Sequence, residues 1–156
     1  MENIGSAQSE QLMVLLAQRV KDNHADLVGR YLGVLQESLF TSRALVRPSA
    51  LKSVAADEVE ALLNFLRQSG FSAIERGEKL HQAGFNAGAI LRLSQATRQF
   101  LLHGLENHQI APMLKIVDDY ETAIIEGFVQ SIDNVNKAER AQLERVLNNL
   151  HQNGGK

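Results

Sequence analysis

Residues 110–151 read IAPMLKIVDDYETAIIEGFVQSIDNVNKAERAQLERVLNNLH. After Pro112 the stretch holds no proline and one glycine, Gly127, so nothing in it forces a helix to stop. A single helix of about forty residues would run on the order of 60 Å, beyond what a domain of this size can cover. Leu114, Val117, Ile124, Phe128, Ile132, Val135, Leu143, Val146 and Leu150 recur at spacings near three and four, the pattern that faces a partner helix. The stretch therefore predicts a coiled-coil stalk, with residues of about 136–153 as a signalling extension. Its dimer seam is expected at Ile124, Phe128, Ile132, Val135, Leu143, Val146 and Leu150. The competing reading is an ordinary core helix with a frayed polar end, because Asn136 to Gln142 is polar apart from two alanines.

The rest of the composition suits one all-α domain over residues 1–156. Hydrophobic residues make up 44% of the chain and charged residues 22%, enough for a real core, and the 5% aromatic content favours aliphatic helix packing. A net charge of −2 supplies no global field for nucleic acid or an anionic membrane, so neither is expected as a partner. The chain has no cysteine, which removes disulfides, thiolate metal sites and cysteine nucleophiles together. The segment Met1 to Gln11 lacks the pattern of a secretion signal and no run approaches eighteen apolar residues, which predicts a cytoplasmic protein.

Working backward from the long helix, amphipathic segments follow one another with short breaks and no strand-type alternation. A first helix is expected from Ser6 or Ser9, burying Leu12, Leu15, Leu16 and Val20. A second, from about Ala25 to Leu39, carries Val28, Tyr31, Leu32, Leu35 and Leu39 on one face. Ser42 to Pro48 is the loop candidate. Pro48 or Ser49 opens a third helix with Leu51, Val54, Ala55, Val59, Leu62 and Leu66, closed by Gly70. Ser72-Ala73-Ile74-Glu75 is a capping box for a fourth, which ends at Gly84. Asn86 then caps a fifth helix running to about Glu106, with Phe85 and Ile90 placed as a hydrophobic staple, so the two helices should meet at a tight corner.

Acid–base, metal or haem chemistry falls first on the five histidines. His24, His108 and His151 read as solvated. His103 follows Leu93, Ala96 and Phe100 on one stripe and points inward on that reading. His81 shares a face with Ile74 and Gly77, where the missing side chain leaves room for something bulky. Glu78 and His81 have metal-ligand spacing, but no second pair of that kind occurs on another helix, and no metal site is expected. There is no glycine-rich phosphate loop and no nucleophile elbow, and Asp118, Asp119 and Glu121 read as a solvated helix face, so no catalytic residues are assigned.

Arg76-Gly77, Gly84-Phe85 seven residues after that glycine, and a long helix carrying Ile116-Val117-Asp118-Asp119-Tyr120 together resemble the globin-like sensor domains. These include haem-binding globin-coupled sensors and the haemless amino-terminal domains of RsbR-type stress-signalling proteins, to which the chain is most similar. Leu27-Val28-Gly29-Arg30-Tyr31 also looks like that family's early tyrosine-bearing helix, so the resemblance spans nearly the whole chain. It implies a globin-like helical bundle, a homodimer formed through late helices, and a carboxy-terminal extension that signals to an effector. In haem-binding members the proximal histidine lies four residues before the glycine matched by Gly84, where this chain has Leu80; His81 is one residue late, turned by about 100°. Tyr31 matches the place of a distal tyrosine.

The leading expectation is thus a non-enzymatic input domain of a signal-transduction protein, without cofactor, dimerising and passing a helix rearrangement to an effector. The alternatives are a haem-based gas sensor with His81 as axial ligand and Tyr31 on the distal side, and a histidine phosphotransfer module.

Overall fold

The computed structural model describes residues 2–41, 45–70 and 72–154, with side chains from Gly5 onward. Among these residues there is no strand. Six helices follow one another: α1 (Glu2–Asp22), α2 (His24–Leu39), α3 (Leu51–Leu66, entered through a 3-10 turn at Pro48–Ala50), α4 (Ala73–Gln82), α5 (Ala87–Leu102) and α6 (Asn107–Asn153). Residues 42–44 of the expected Ser42–Pro48 loop, and Gly155 and Lys156, lie outside the described residues. Among the described residues no helix is long and apolar enough to cross a membrane.

The apolar positions at three- and four-residue spacing become the core: Leu12, Leu16 and Val20 of α1, Leu27, Val28, Tyr31 and Leu35 of α2, and Leu51, Ala55, Val59, Leu62 and Leu66 of α3 are buried together. Leu15, expected inside, is 41% exposed. α1 begins four residues or more before its expected start, yet from Gly5 to Gln11 it is almost wholly exposed and the described burial starts at Leu12.

The corner between α4 and α5 forms as its sequence dictates. Ser72 caps α4 by accepting from the Glu75 amide at 3.3 Å. Gly84, at φ +88°, reverses the chain; the Phe85 amide donates to Leu80 and the Gly84 amide to His81, the paired bonds of a Schellman motif, with Leu80 and Phe85 both buried. Asn86 then caps α5 by accepting from the Ala89 amide at 3.0 Å, and its own amide donates to the Thr41 carbonyl. The fifth helix stops at Leu102, four residues short of expectation. His103 turns extended and Gly104 adopts φ +76°, so that Glu106 can cap α6 through a capping box with Gln109.

α6 runs unbroken for 47 residues, about 70 Å. Its first half packs on α4, α5 and α1; from Asp133 to Gly154 every residue is exposed. The helix neither frays nor breaks at the polar stretch Asn136 to Gln142. The space at Gly77 is filled by protein: the α4 backbone there lies directly against the α6 backbone at Ile124, and Gly127 receives Ile74 in the same way. Glycine at this crossing admits a neighbouring helix, where sequence suggested room for a bulky group.

Candidate functional site

Two features of the fold have the makings of a site, and α6 contributes to both. The first is a polar cluster inside an otherwise aliphatic core. Glu58 takes a core position of α3 in register with Leu51, Ala55 and Leu62, and is only 4% exposed. Its carboxylate accepts from the Arg76 Nε of α4. Burial pushes the Glu58 carboxyl up to about 7, with Arg76 pulling against that rise and Asp57 adding to it. Tyr31 of α2 and Thr97 of α5 are hydrogen-bonded to each other in the same region. Thr97 commits its one hydrogen to the Leu93 carbonyl at 2.8 Å, so Tyr31 is the donor in that pair. Tyr120 of α6 is buried, its hydroxyl without a hydrogen bond to any described residue and its ring 5.0 Å from that of Phe65. Burial raises the Tyr31 and Tyr120 phenols above their ordinary range, so both stay neutral.

These groups surround a cavity of about 30 Å³ walled by Tyr31, Glu58, Leu80, Thr97, Tyr120 and Ile124, among others. That is room for about two water molecules. Because Tyr31 and Ser94 spend their hydrogens on Thr97 and Glu121, the lining offers mainly acceptors, with Tyr120 and the protonated form of Glu58 as donors. Glu121 also belongs here, and the solvated reading of it is corrected: it accepts from Ser94 at 2.7 Å and from Arg98 at 2.6 Å, and walls the cavity. Asp118, beside it on the surface, takes a second bond from Arg98.

The structure does not bring His81 and Tyr31 to one cavity. Leu80 points into the cavity, whereas His81 sits half-buried against α6, its Nδ1 sharing a hydrogen bond with the Ser131 hydroxyl at 2.7 Å and its ring edge-on to Phe128 at 5.0 Å. These residues do not fit haem: the side chain aimed at the cavity is a leucine, and the space falls some tenfold below the roughly 300–1,000 Å³ of ordinary ligand pockets. His103, expected inward, is exposed. Among the described residues no three His, Asp or Glu side chains gather into a metal-binding group.

The second feature is the outer face of α6, and here the expected seam divides. Ile124 and Phe128 are buried in the chain's own core, at 4% and 7% exposure, and so are removed from the expected dimer seam. Ile132 is half-buried at the margin. Val135, Leu143, Val146 and Leu150 are exposed, as is Leu147, and so are Ile125 and Val129, each one residue beyond a core position. α6 thus carries two apolar stripes about 100° apart. One packs on the body; the other, covered by none of the described residues, runs from Ile125 to Leu150.

Sequence reasoning missed Glu58, Arg76, Thr97, Ser94 and Tyr120. The available signal was a charged residue, Glu58, interrupting the apolar stripe of α3, since ionisable groups are seldom fully buried without a partner. Compared with known protein families, with curated proteins and with solved structures, the chain finds no match.

Proposed function

We propose that this chain is a non-enzymatic input domain of a signal-transduction protein, which dimerises through the outer stripe of α6 and passes a rearrangement of that helix to an effector. One observation carries the reading. The same helix walls the polar cavity through Val117, Tyr120, Glu121 and Ile124 and, one residue further round, presents Ile125, Val129, Leu143, Val146 and Leu150 to solvent. Whatever alters the cavity bears on the helix whose other face awaits a partner. A stripe of that length, left uncovered by the described residues, is what a helix–helix interface requires. The resemblance to globin-like sensor domains, with a dimer through late helices, points the same way.

Signalling of this kind needs an input that favours one packing of the interface over another by a few kcal/mol. A cavity holding a buried carboxyl, two neutral phenols and room for about two waters is small enough for such a balance to rest on one proton or one small solute. The test is the oligomeric state. Sedimentation equilibrium at micromolar concentration is expected to give a dimer that Leu143→Glu with Leu150→Glu converts to monomer, with the helical content unchanged. A wild-type chain that stays strictly monomeric overturns the reading.

A further inference from the structure

The outer stripe of α6 has an internal symmetry. With Leu143 placed at position a of a heptad, Val129, Asn136 and Leu150 also fall at a, while Ile125, Ile132, Glu139 and Val146 fall at d. Counting outward from the Lys137–Ala138 peptide, the a and d residues met on either side match in kind. Asn136 mirrors Glu139, Ile132 mirrors Leu143, Val129 mirrors Val146 and Ile125 mirrors Leu150.

Direction decides what these residues meet. If two copies ran parallel, a would face a and d would face d, so two Glu139 carboxylates would oppose each other in the middle of the seam. Running antiparallel, a faces d. Each Glu139 then meets the Asn136 amide of the second copy, a donor for its carboxylate, and every apolar residue meets another apolar residue. The flanking charges agree. Among the described residues Asp133 and Arg140 have no ion-pair partner, and both are exposed. In the antiparallel register Asp133 lies beside Arg140 of the second copy, and the two-fold axis makes that contact twice. In the parallel one Arg140 lies beside Val135 and Asp133 beside Phe128, which is buried elsewhere.

We infer that α6 is an antiparallel dimerisation helix, pairing with a second copy of this chain about a two-fold axis at the Lys137–Ala138 peptide. The inference rests on the dimer proposed above and adds its direction and register. It also changes the route of the signal. The tail of each α6 lies back along its partner, so Leu150 reaches Ile125 of the second copy, next to the cavity-lining Ile124 and half a turn from the Gly127 crossing. Communication then runs between the two bodies, each tail bearing on the other's α6.

The absence of cysteine from the chain makes the test direct. Ile125→Cys and Leu150→Cys, both at exposed positions, are made singly and together, oxidised at micromolar concentration and run on non-reducing gels beside a sedimentation measurement. The expected result is a predominantly covalent dimer from the double variant and none from either single one; the two cysteines of one chain stand on one straight helix, too far apart to bridge. Self-cross-linking of the Leu150→Cys variant marks a parallel pair, and overturns the direction while leaving the dimer intact. A dimer by sedimentation in which the double variant stays uncross-linked overturns the register. A monomer by sedimentation removes this inference and the dimeric reading together.

Discussion

A Cβ on Gly77 would fall 1.9 Å from the Ile124 carbonyl oxygen, and a Cβ on Gly127 would fall 1.8 Å from the carbonyl oxygen of Ile74. The two glycines face each other's helix from opposite sides, so α4 and α6 cross backbone to backbone. This crossing fixes where α4 presents Arg76 to Glu58, Leu80 to the cavity and His81 to Ser131.

Alanine at Gly77 or Gly127 must therefore push two helices apart, since the atoms in the way are main chain and cannot rotate aside. Each substitution is expected to destabilise the protein by about 3 kcal/mol or more, lowering Tm by roughly 6–12 °C. Gly29, in the middle of α2, has nothing within 4 Å of its Cβ position. There alanine is expected to raise stability by about 0.5–1 kcal/mol through helix propensity. Thermal unfolding of the three variants checks the contrast; a loss at Gly77 no larger than about 1 kcal/mol would contradict the close crossing.

The carboxyl of Glu58 sits at about 7 against an ordinary value of 4.5, with burial as the leading cause. The native state thus holds a proton that the unfolded chain releases. Stability from this group is fully present below about pH 4.5 and is lost as pH rises through about 7. Glu58→Gln keeps an acceptor for Arg76 and cannot ionise. Between pH 5 and pH 8 the variant is expected to gain on the wild type by on the order of 2 kcal/mol in urea unfolding. A difference that stays flat across that range would sink the assignment.

Much of the fold was legible because its signals are local. Ser72, Gly84 and Asn86 act within a few residues of themselves, and the Schellman motif at Leu80–Phe85 is written in one glycine and two apolar residues. At its amino-terminal end, at Ile124 and Phe128, the expected α6 seam was read one stripe out of phase for a physical reason. Residues 124 and 128 and residues 125 and 129 are all apolar at four-residue spacing, so periodicity registers an apolar helix without saying which stripe its own domain covers. The polar cavity was illegible for a different reason: its members come from α2, α3, α4, α5 and α6, and only tertiary packing unites them. His81 shows both effects. Its offset from the cavity follows from helical geometry, whereas its partner Ser131 lies 50 residues away.

The contacts of His81 are those of a structural residue, and its replacement should behave accordingly. His81→Ala removes the bond to Ser131 and the edge contact with Phe128, an expected cost of about 1–2 kcal/mol. Titration with haemin is expected to leave the Soret band where it lies for free haemin, in the wild type and the variant alike. A Soret shift that disappears in His81→Ala would bring back the haem reading.

At the centre of the proposed α6 pairing, Asn136 and Glu139 are costly residues for an interface, because leucine in both places would bury more apolar surface. The proposed antiparallel pairing gives them a purpose, since polar residues at core positions of a coiled coil fix orientation at the expense of affinity. Asn136→Leu with Glu139→Leu is therefore expected to tighten the dimer by tenfold or more in sedimentation. The same change should blur its direction, so that Leu150→Cys placed in this background begins to cross-link to itself. If the leucine variant instead weakens the dimer, Asn136 and Glu139 contribute attraction and not orientation; if it tightens the dimer and keeps Leu150→Cys uncross-linked, the direction is set by Asp133 and Arg140 alone.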